Sequence, residues 1–353
     1  MRAAVYHGPG DVRIEAMPEP GDPAPGEVLL RVARAAICGT DASEYAHGPR
    51  LVSLERRHPA SGHVGPVILG HEFVGVVEAV GDGVEDLRPG HRVVPGAGVS
   101  CGTCEWCAAG RTNLCSRYYT LGLQAHGGLA EYVRSPAAIC RPVPDGCSDD
   151  AAAMAQPFAV ALHALRRGGV GRGRTVAVIG VGGIGAFIVA GAKAGGASPV
   201  IAVDVDDRRL DVARALGADH VVDARSGGTA EQIRALTGDG ADVVVEASGA
   251  AASPAAAVGA TKRGGEVVLV GLPTALCALD LTDMALREVN LTATLAHVCD
   301  VDLPEALELL TGSEIARIVL DRVIPLDALV EHGLVPLVEG SARGKILVDT
   351  AGP

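Results

Sequence analysis

A two-domain α/β chain is what this sequence predicts, with a loop-rich β domain followed by a doubly wound parallel sheet. Three observations predict it. Up to about residue 157 the chain runs in short alternating apolar stretches broken by Gly and Pro. Beyond that point strand-like and helix-like runs take turns, the rhythm of a parallel sheet covered by helices. A chain of 353 residues with 48% hydrophobic content also exceeds what one compact core ordinarily holds.

The elements follow in order. "GEVLLRVARAAI" and "HEFVGVVEAVG" carry the alternation of half-buried strands. After residue 157, "RTVAVIG" reads as a buried strand and "GAFIVAGAKAGGA" as a helix. "PVIAVD" is a second strand, "DRRLDVARALG" a helix, and "ADVVVEAS" and "GGEVVLVGL" two more strands. Past residue 296 the rhythm weakens into a strand, a helix and a final strand, a tail able to return to the first domain. The expected division is therefore 1–157 and 296–353 in one domain and 158–295 in the other. No internal repeat or low-complexity tract interrupts it.

Composition excludes several functions. A net charge of −12 argues against a nucleic-acid partner, whose phosphates call for clustered Lys and Arg. The opening "MRAAVYHGPG" carries no signal-peptide pattern, and no uninterrupted apolar run reaches spanning length. A soluble, cytoplasmic protein with no membrane association is expected.

Four of the nine cysteines crowd into "CGTCEWCAAGRTNLC". Disulfides need particular Cα separations, and a chain this long has no need of staples. Four soft thiolates at such gaps suit one tetrahedral ion and leave no coordination position open. Cys101, Cys104, Cys107 and Cys115 are thus read as a structural zinc site holding a lobe at about 96–118. An iron–sulfur cluster fits less well, because no cysteine-then-proline run follows.

"VAVIGVGGIGAF" places Gly180, Gly182 and Gly185 in G-x-G-x-x-G spacing, after an apolar strand and opening a helix. With Gly183 and Ile184 between them, they form a turn where a pyrophosphate meets free helix N–H groups. The next strand ends at Asp204, placed to accept hydrogen bonds from an adenosine ribose and to repel a 2′-phosphate. NAD is therefore favoured over NADP, with Arg208 and Arg209 close by and Arg209 a candidate to flank the ribose.

The first domain offers "AAICGTDASEY" and "GPVILGHEFVG". Cys38, His71 and Glu72 are a soft, a borderline and a hard donor from separate segments, a set suited to a zinc ion with an open position.

"CGTD", "GHEFVGVVEAVG", the cysteine quartet, "GGLAEYV", "GVGGIG" and "GGEVVLVG" stand in the order and spacing of the zinc-dependent medium-chain dehydrogenases. The sequence resembles the alcohol, sorbitol, threonine and butanediol dehydrogenase group over its whole length. That resemblance implies a GroES-like catalytic domain with a Rossmann domain between its parts; one closed and one open ligand set predict two zinc ions per chain, and a dimer or tetramer is expected. The resemblance implies Cys38 and His71 as ligands of the catalytic zinc, Glu72 as a mobile acidic neighbour, and Asp41 as the carboxylate that orients His71. It makes Thr40 the hydroxyl that takes the substrate's proton.

Two departures stand out. Gln156 occupies the position before Pro157 where polyol dehydrogenases usually carry Glu, so either its amide or Glu72 completes the metal site. Ser43 replaces a common relay histidine, with His47 close in sequence. The insertion "HGPRLVSLERRHPASGHVGP" resembles the butanediol branch and implies a small vicinal diol, acyloin or polyol. Ser43, Glu44 and Tyr45 just before it and Arg50, Arg56, Arg57 and His58 within it are polar side chains able to hold a second hydroxyl. The alternatives are an NADP-dependent ketone reductase, a cyclitol or amino-sugar dehydrogenase, and a non-redox or interaction protein of the same fold. A non-redox relative is expected to lack Cys38, Thr40 or His71, and all three are present.

Overall fold

The computed structural model describes residues 1–273 and 275–351. The chain separates into two compact units, residues 160–296 forming one and the segments on either side together forming the other.

In the two-segment unit, a mostly antiparallel sheet runs in the order Cys140–Pro142, Arg92–Pro95, Glu72–Val80, Glu27–Ala36, Lys345–Asp349 and Leu320–Pro325, with Tyr132–Pro136 also on Glu27–Ala36. The tail therefore contributes its last two strands to the sheet of the N-terminal segment. Register decides what this brings together. Ala36 pairs with Glu72 on one side and with Leu347 on the other. Cys38, two residues past Ala36, is thereby set near His71, one residue before Glu72, while Lys345 precedes Leu347 by one strand repeat. The turn into His71 requires glycine. Gly70 has φ +96°, and a Cβ there would lie 2.6 Å from the backbone nitrogen of Leu129.

The second unit is a six-stranded parallel sheet. Its strands are Val176–Ile179, Val200–Asp204, His220–Asp223, Ala241–Glu246, Thr261–Leu269 and Asn290–Ala293, in spatial order third, second, first, fourth, fifth, sixth. This is the doubly wound arrangement, with its topological switch between the first and fourth strands. The central strands are buried throughout, as strands covered on both faces must be. Ile179, Ile201, Val203 and Val244 pack with Ile233, Ala257 and Val258 of the helices Thr229–Thr237 and Ser253–Ala260.

The sequence reading left residues 218–240 without an element, yet strand His220–Asp223 and helix Thr229–Thr237 lie there. Edge strand Asn290–Ala293 was missed as well. Its residues are largely exposed, so no apolar run marks it. Among the described residues, no helix is long and apolar enough to cross a membrane.

Candidate active site and metal centres

Helix Gly39–His47 follows directly from the central strand of the first unit, with Cys38 as its N-cap. The Cys38 N–H donates to Asp41 Oδ2 at 2.9 Å, which fixes the carboxylate behind the cysteine. Metal-binding atoms of Cys38, His71 and Glu72 all lie within 4.8 Å of one another, His71 and Glu72 being buried and Cys38 partly exposed. Asp41 Oδ1 approaches His71 Nδ1 to 3.5 Å without forming a hydrogen bond. Burial works against a charged His71, but Asp41 and Cys38 override it and hold the imidazole well above its ordinary value. A metal ion bound through this ring therefore displaces a proton.

Glu72 carries the residue that sequence reasoning missed. Its Oε2 is paired with Lys345 Nζ, which also donates to the Ile37 carbonyl at 2.9 Å. Both side chains are buried, and Glu72 Oε1 has no partner. Lys345 opens the apolar run "KILVD", and only the pairing of the last strand with Glu27–Ala36 brings it to Glu72. The unused carboxylate oxygen beside a thiol and an imidazole fits a divalent metal with mixed S, N and O donors. Gln156 is buried in the first turn of helix Ala155–Arg167. The Thr40 hydroxyl lies 3.7 Å from Cys38 Sγ.

Among the proposed substrate anchors, Glu44 is corrected. It is 1% exposed, and its carboxylate accepts the backbone N–H groups of Arg50 at 3.0 Å and Leu51 at 2.7 Å. It clamps a loop and is buried away from solvent, out of reach of a substrate hydroxyl. Ser43 accepts a hydrogen bond from Arg50 Nη1 at 3.3 Å, and His47 closes the last turn of the helix, exposed.

The quartet is assembled around the short helix Glu105–Ala108, which has Cys104 at its N-cap. All four sulfurs lie within 4.8 Å of one another, with Cys104 and Cys107 3.5 Å apart. The Cys115 sulfur accepts the N–H groups of Cys101 at 3.2 Å and Arg117 at 3.3 Å. Such amide bonds stabilise thiolates, as a zinc–sulfur centre requires. Backbone donation from Thr103 brings Cys101 down to about 7, and that from Cys107 and Ser116 brings Cys104 down to about 6. Burial pushes Cys107 up to about 11.

A pH dependence follows. Metal binding needs thiolates, so every sulfhydryl still protonated in the metal-free lobe must release a proton. Cys107 does so at all pH values below about 11, and Cys101 adds a second proton below about 7. Apparent zinc affinity of the lobe is expected to rise at least about tenfold per pH unit between 7 and 9, and more steeply below 7. Trp106, the only tryptophan, sits inside the quartet with Arg111 5.5 Å from its ring centroid, so its fluorescence reports occupancy. A flat titration midpoint across this range would exclude the arrangement.

In the second unit, Gly180 has φ +90°, and a Cβ on it would lie 2.6 Å from the Ser248 nitrogen. A Cβ on Gly185 would collide with the Gly180 carbonyl oxygen, whereas Gly182 faces open space and caps helix Gly183–Ala194. The first and third glycines thus close the turn, and the second leaves room for a ligand's phosphate against the helix N-terminus. A cavity of about 510 Å3 opens here, with Gly180, Gly182, Asp204, Arg209, Ser248 and Ser253 in its lining. Asp204 Oδ2 accepts from Val181 N–H at 2.7 Å, and Oδ1 from Val205 and Asp206 at 2.8 and 3.0 Å. It therefore also anchors the glycine turn, a second role the sequence reading did not foresee. Arg209 Nη1 lies 3.9 Å from Asp204, and Arg208 is tied to Asp206 at 2.6 Å. Glu246, fully buried at the end of the fourth strand, accepts from Ser248 N–H, Gly249 N–H and both serine hydroxyls and so shapes the cavity wall.

A doubly wound sheet with a glycine turn and a terminal Asp, joined in one chain to a closed thiolate quartet and an open Cys–His–Glu set, defines a zinc-dependent dehydrogenase. Comparison with known proteins agrees. Residues 24–145 match the alcohol dehydrogenase GroES-like domain, and residues 183–312 the zinc-binding dehydrogenase domain. Sorbitol dehydrogenase of Bacillus subtilis (strain 168) is 37% identical over 276 residues, 78% of this chain and 76% of that protein. The (R,R)-butanediol dehydrogenase of the same organism is 33% identical over 350 residues, 99% of both. The crystal structure of 2R,3R-butanediol dehydrogenase from Bacillus subtilis superposes with a TM-score of 0.90 at 32% identity, covering 99% of each chain. The chain belongs to the zinc-dependent medium-chain dehydrogenase/reductase family, whose members act on alcohols with a nicotinamide dinucleotide.

Proposed function

We propose that the protein oxidises a secondary alcohol, a vicinal diol or polyol, to the ketone with NAD, reversibly. The observation that carries this reading is the convergence of Cys38, His71 and Glu72 beside the Thr40 hydroxyl. Two zinc ions per chain belong to the proposal. The quartet would hold one, and Cys38 and His71, completed by Gln156 or Glu72, the other. At the open site zinc, when bound, supplies Lewis-acid polarisation of the substrate oxygen, and NAD supplies the hydride acceptor.

The chain's own groups do the rest. Thr40 accepts the proton of the substrate hydroxyl while its own is free to leave. Asp41, held by the Cys38 amide, faces His71 Nδ1 and fixes the ring's orientation. The Lys345 pair holds one oxygen of Glu72 and leaves the other without a partner, so Glu72 Oε1 or the Gln156 amide would complete the set. Reduction of the ketone uses the same groups in reverse. A cytoplasmic setting is part of this reading, because both sites need reduced cysteines.

A homo-oligomer is proposed too. The Asn290–Ala293 strand ends the parallel sheet, and Leu281, Leu286 and Leu291 around it are exposed. Pairing of this edge with a second copy would cover both its backbone groups and those leucines.

Asp204 sets the cofactor prediction. NAD is expected to be used at least about tenfold more efficiently than NADP, a carboxylate facing a 2′-phosphate being worth roughly 1–3 kcal/mol. Asp204→Ala is expected to close that gap and to raise KM for NAD, since the glycine turn loses its anchor. A native preference for NADP would show that Arg208 or Arg209 takes the phosphate.

The reaction is tested by following NADH absorbance over a panel of alcohols. Butane-2,3-diol, acetoin or a polyol is expected to exceed ethanol in kcat/KM, because a second polar contact fixes the reacting carbon near the hydride acceptor. Highest kcat/KM for simple primary alcohols would overturn the substrate assignment.

A further inference from the structure

The wall of the glycine-turn cavity is built on one acid that the reaction as described does not use. Glu246 ends strand Ala241–Glu246, beside Ile179 of the first strand and Leu269 of the fifth. It is fully buried, and four donors converge on a single oxygen. Oε1 accepts from the Ser248 and Gly249 amides at 2.8 and 3.0 Å and from the Ser248 and Ser253 hydroxyls at 2.6 and 2.7 Å. Oε2 has no partner. It lies against Gly271, where a Cβ would collide with it, so glycine at that position leaves the bare oxygen its space.

The donors on Oε1 come from the wall itself. Ser248 and Ser253 line the cavity together with Gly180 and Asp204, and the Ser248 amide packs against Gly180, the first glycine of the turn. The carboxylate therefore stands directly behind the lining, out of water, with one oxygen satisfied and the other not. Its place along the cavity follows from the fold. A dinucleotide crosses a doubly wound sheet where the strand order reverses, with one mononucleotide over each half. Asp204 ends the second strand, in the half read as taking the adenosine ribose. Glu246 ends the fourth strand, and its bare oxygen faces Gly271, two residues past the end of the fifth. That is the other half, the one left for the nicotinamide mononucleotide.

We propose that Glu246 is a specificity-determining residue for the oxidation state of the cofactor, its buried carboxylate favouring the cationic ring of the oxidised dinucleotide over the neutral ring of the reduced one. This deepens the dehydrogenase reading and rests on it. The two forms differ by a hydride, and so by one positive charge on the ring, while the ribose and pyrophosphate groups are the same in both. A negative charge with no counter-ion of its own, held in a dry wall, acts on that one difference. Salt screens it little, because the group is buried.

The test is calorimetric binding of NAD, NADH and ADP-ribose to the zinc-loaded protein with no alcohol present. ADP-ribose lacks the nicotinamide ring and reports the rest of the cavity. Glu246→Gln keeps an oxygen for the four donors and removes the charge. Binding of NAD is expected to weaken relative to NADH at least about fivefold in this variant. Any effect of the lost carboxylate on the pyrophosphate is common to all three ligands, is read from ADP-ribose, and cancels in the ratio of NAD to NADH. Glu246→Asp retains the charge but shifts the wall, so all three ligands are expected to weaken while that ratio stays within about twofold of the parent's. Glu246→Thr removes the charge with a different side chain, which gives the ratio where Glu246→Gln does not fold. An unchanged ratio in the charge-removing variants, or an equal shift in Glu246→Asp, would overturn the role of Glu246 and leave the dehydrogenase reading standing. A parent that binds NADP and NADPH instead is read by the same ratio with that pair. Binding of none of the dinucleotides by the parent would overturn the dinucleotide site and this inference with it.

Discussion

Cys38→Ser is expected to lower kcat/KM for the best alcohol by at least about a thousandfold while moving Tm by no more than a few degrees. The two halves of that expectation have different causes. The partly exposed thiol supports little packing, and Ser is a better N-cap for helix Gly39–His47 than Cys is. The backbone bond from residue 38 to Asp41 does not involve the thiol and survives. The metal site, however, loses its one soft, charged donor. Lewis-acid stabilisation worth several kcal/mol disappears at about 1.4 kcal/mol per decade of rate. Cys104→Ser should behave in the opposite way, loosening the lobe around Glu105–Ala108 and its Trp106 fluorescence before it touches the chemistry. Measuring kcat/KM, Tm and zinc content of both variants checks this. Equal losses of Tm would show the two sites to be misassigned.

What the sequence made legible was whatever local spacing encodes. The quartet lies within fifteen residues, and the glycine turn is bounded by an apolar strand and a helix, so both are complete in a single short segment. Four of the six Rossmann strands announced themselves, because burial on both faces demands an unbroken run of Val, Ile and Ala. Strand Asn290–Ala293 did not, because an edge strand with exposed side chains has no such run. Cys38, His71 and Glu72 were readable as ligand types, but their convergence comes from the Ala36–Glu72 register, which no single segment states. Glu44 misled for a related reason. A carboxylate in a polar segment looks available until the backbone amides that occupy it are placed. Asp204 stands at a strand end that the sequence shows, whereas its grip on Val181 depends on how the first two strands of the sheet sit side by side.

Lys345 was hidden for the same reason, and removing it is expected to give the largest loss of stability. Its ammonium group is the partner of Glu72 Oε2 and also donates to the Ile37 carbonyl, with both side chains buried. Lys345→Met preserves most of the volume and removes the charge. Glu72 is then left buried with Oε1 already unpartnered and Oε2 newly so, and the Ile37 carbonyl loses its donor. Removing one member of a buried ion pair costs about 3–5 kcal/mol, or a fall in Tm of roughly 6–20 °C at about 2–4 °C per kcal/mol for a unit of this size. Lys345→Met with Glu72→Leu should recover most of that loss, because a buried pair replaced by apolar side chains of similar volume is near neutral in stability. Activity is expected to separate from stability in this cycle. In Lys345→Met the carboxylate is freed toward Cys38 and His71, so zinc at the open site should be held more tightly and polarise substrate less, lowering kcat in the fraction that stays folded. Chemical denaturation of the four proteins, with zinc retention under chelator, reads both effects. A single variant as stable as the parent would mean that the ammonium group neither balances Glu72 nor supports the strand it opens.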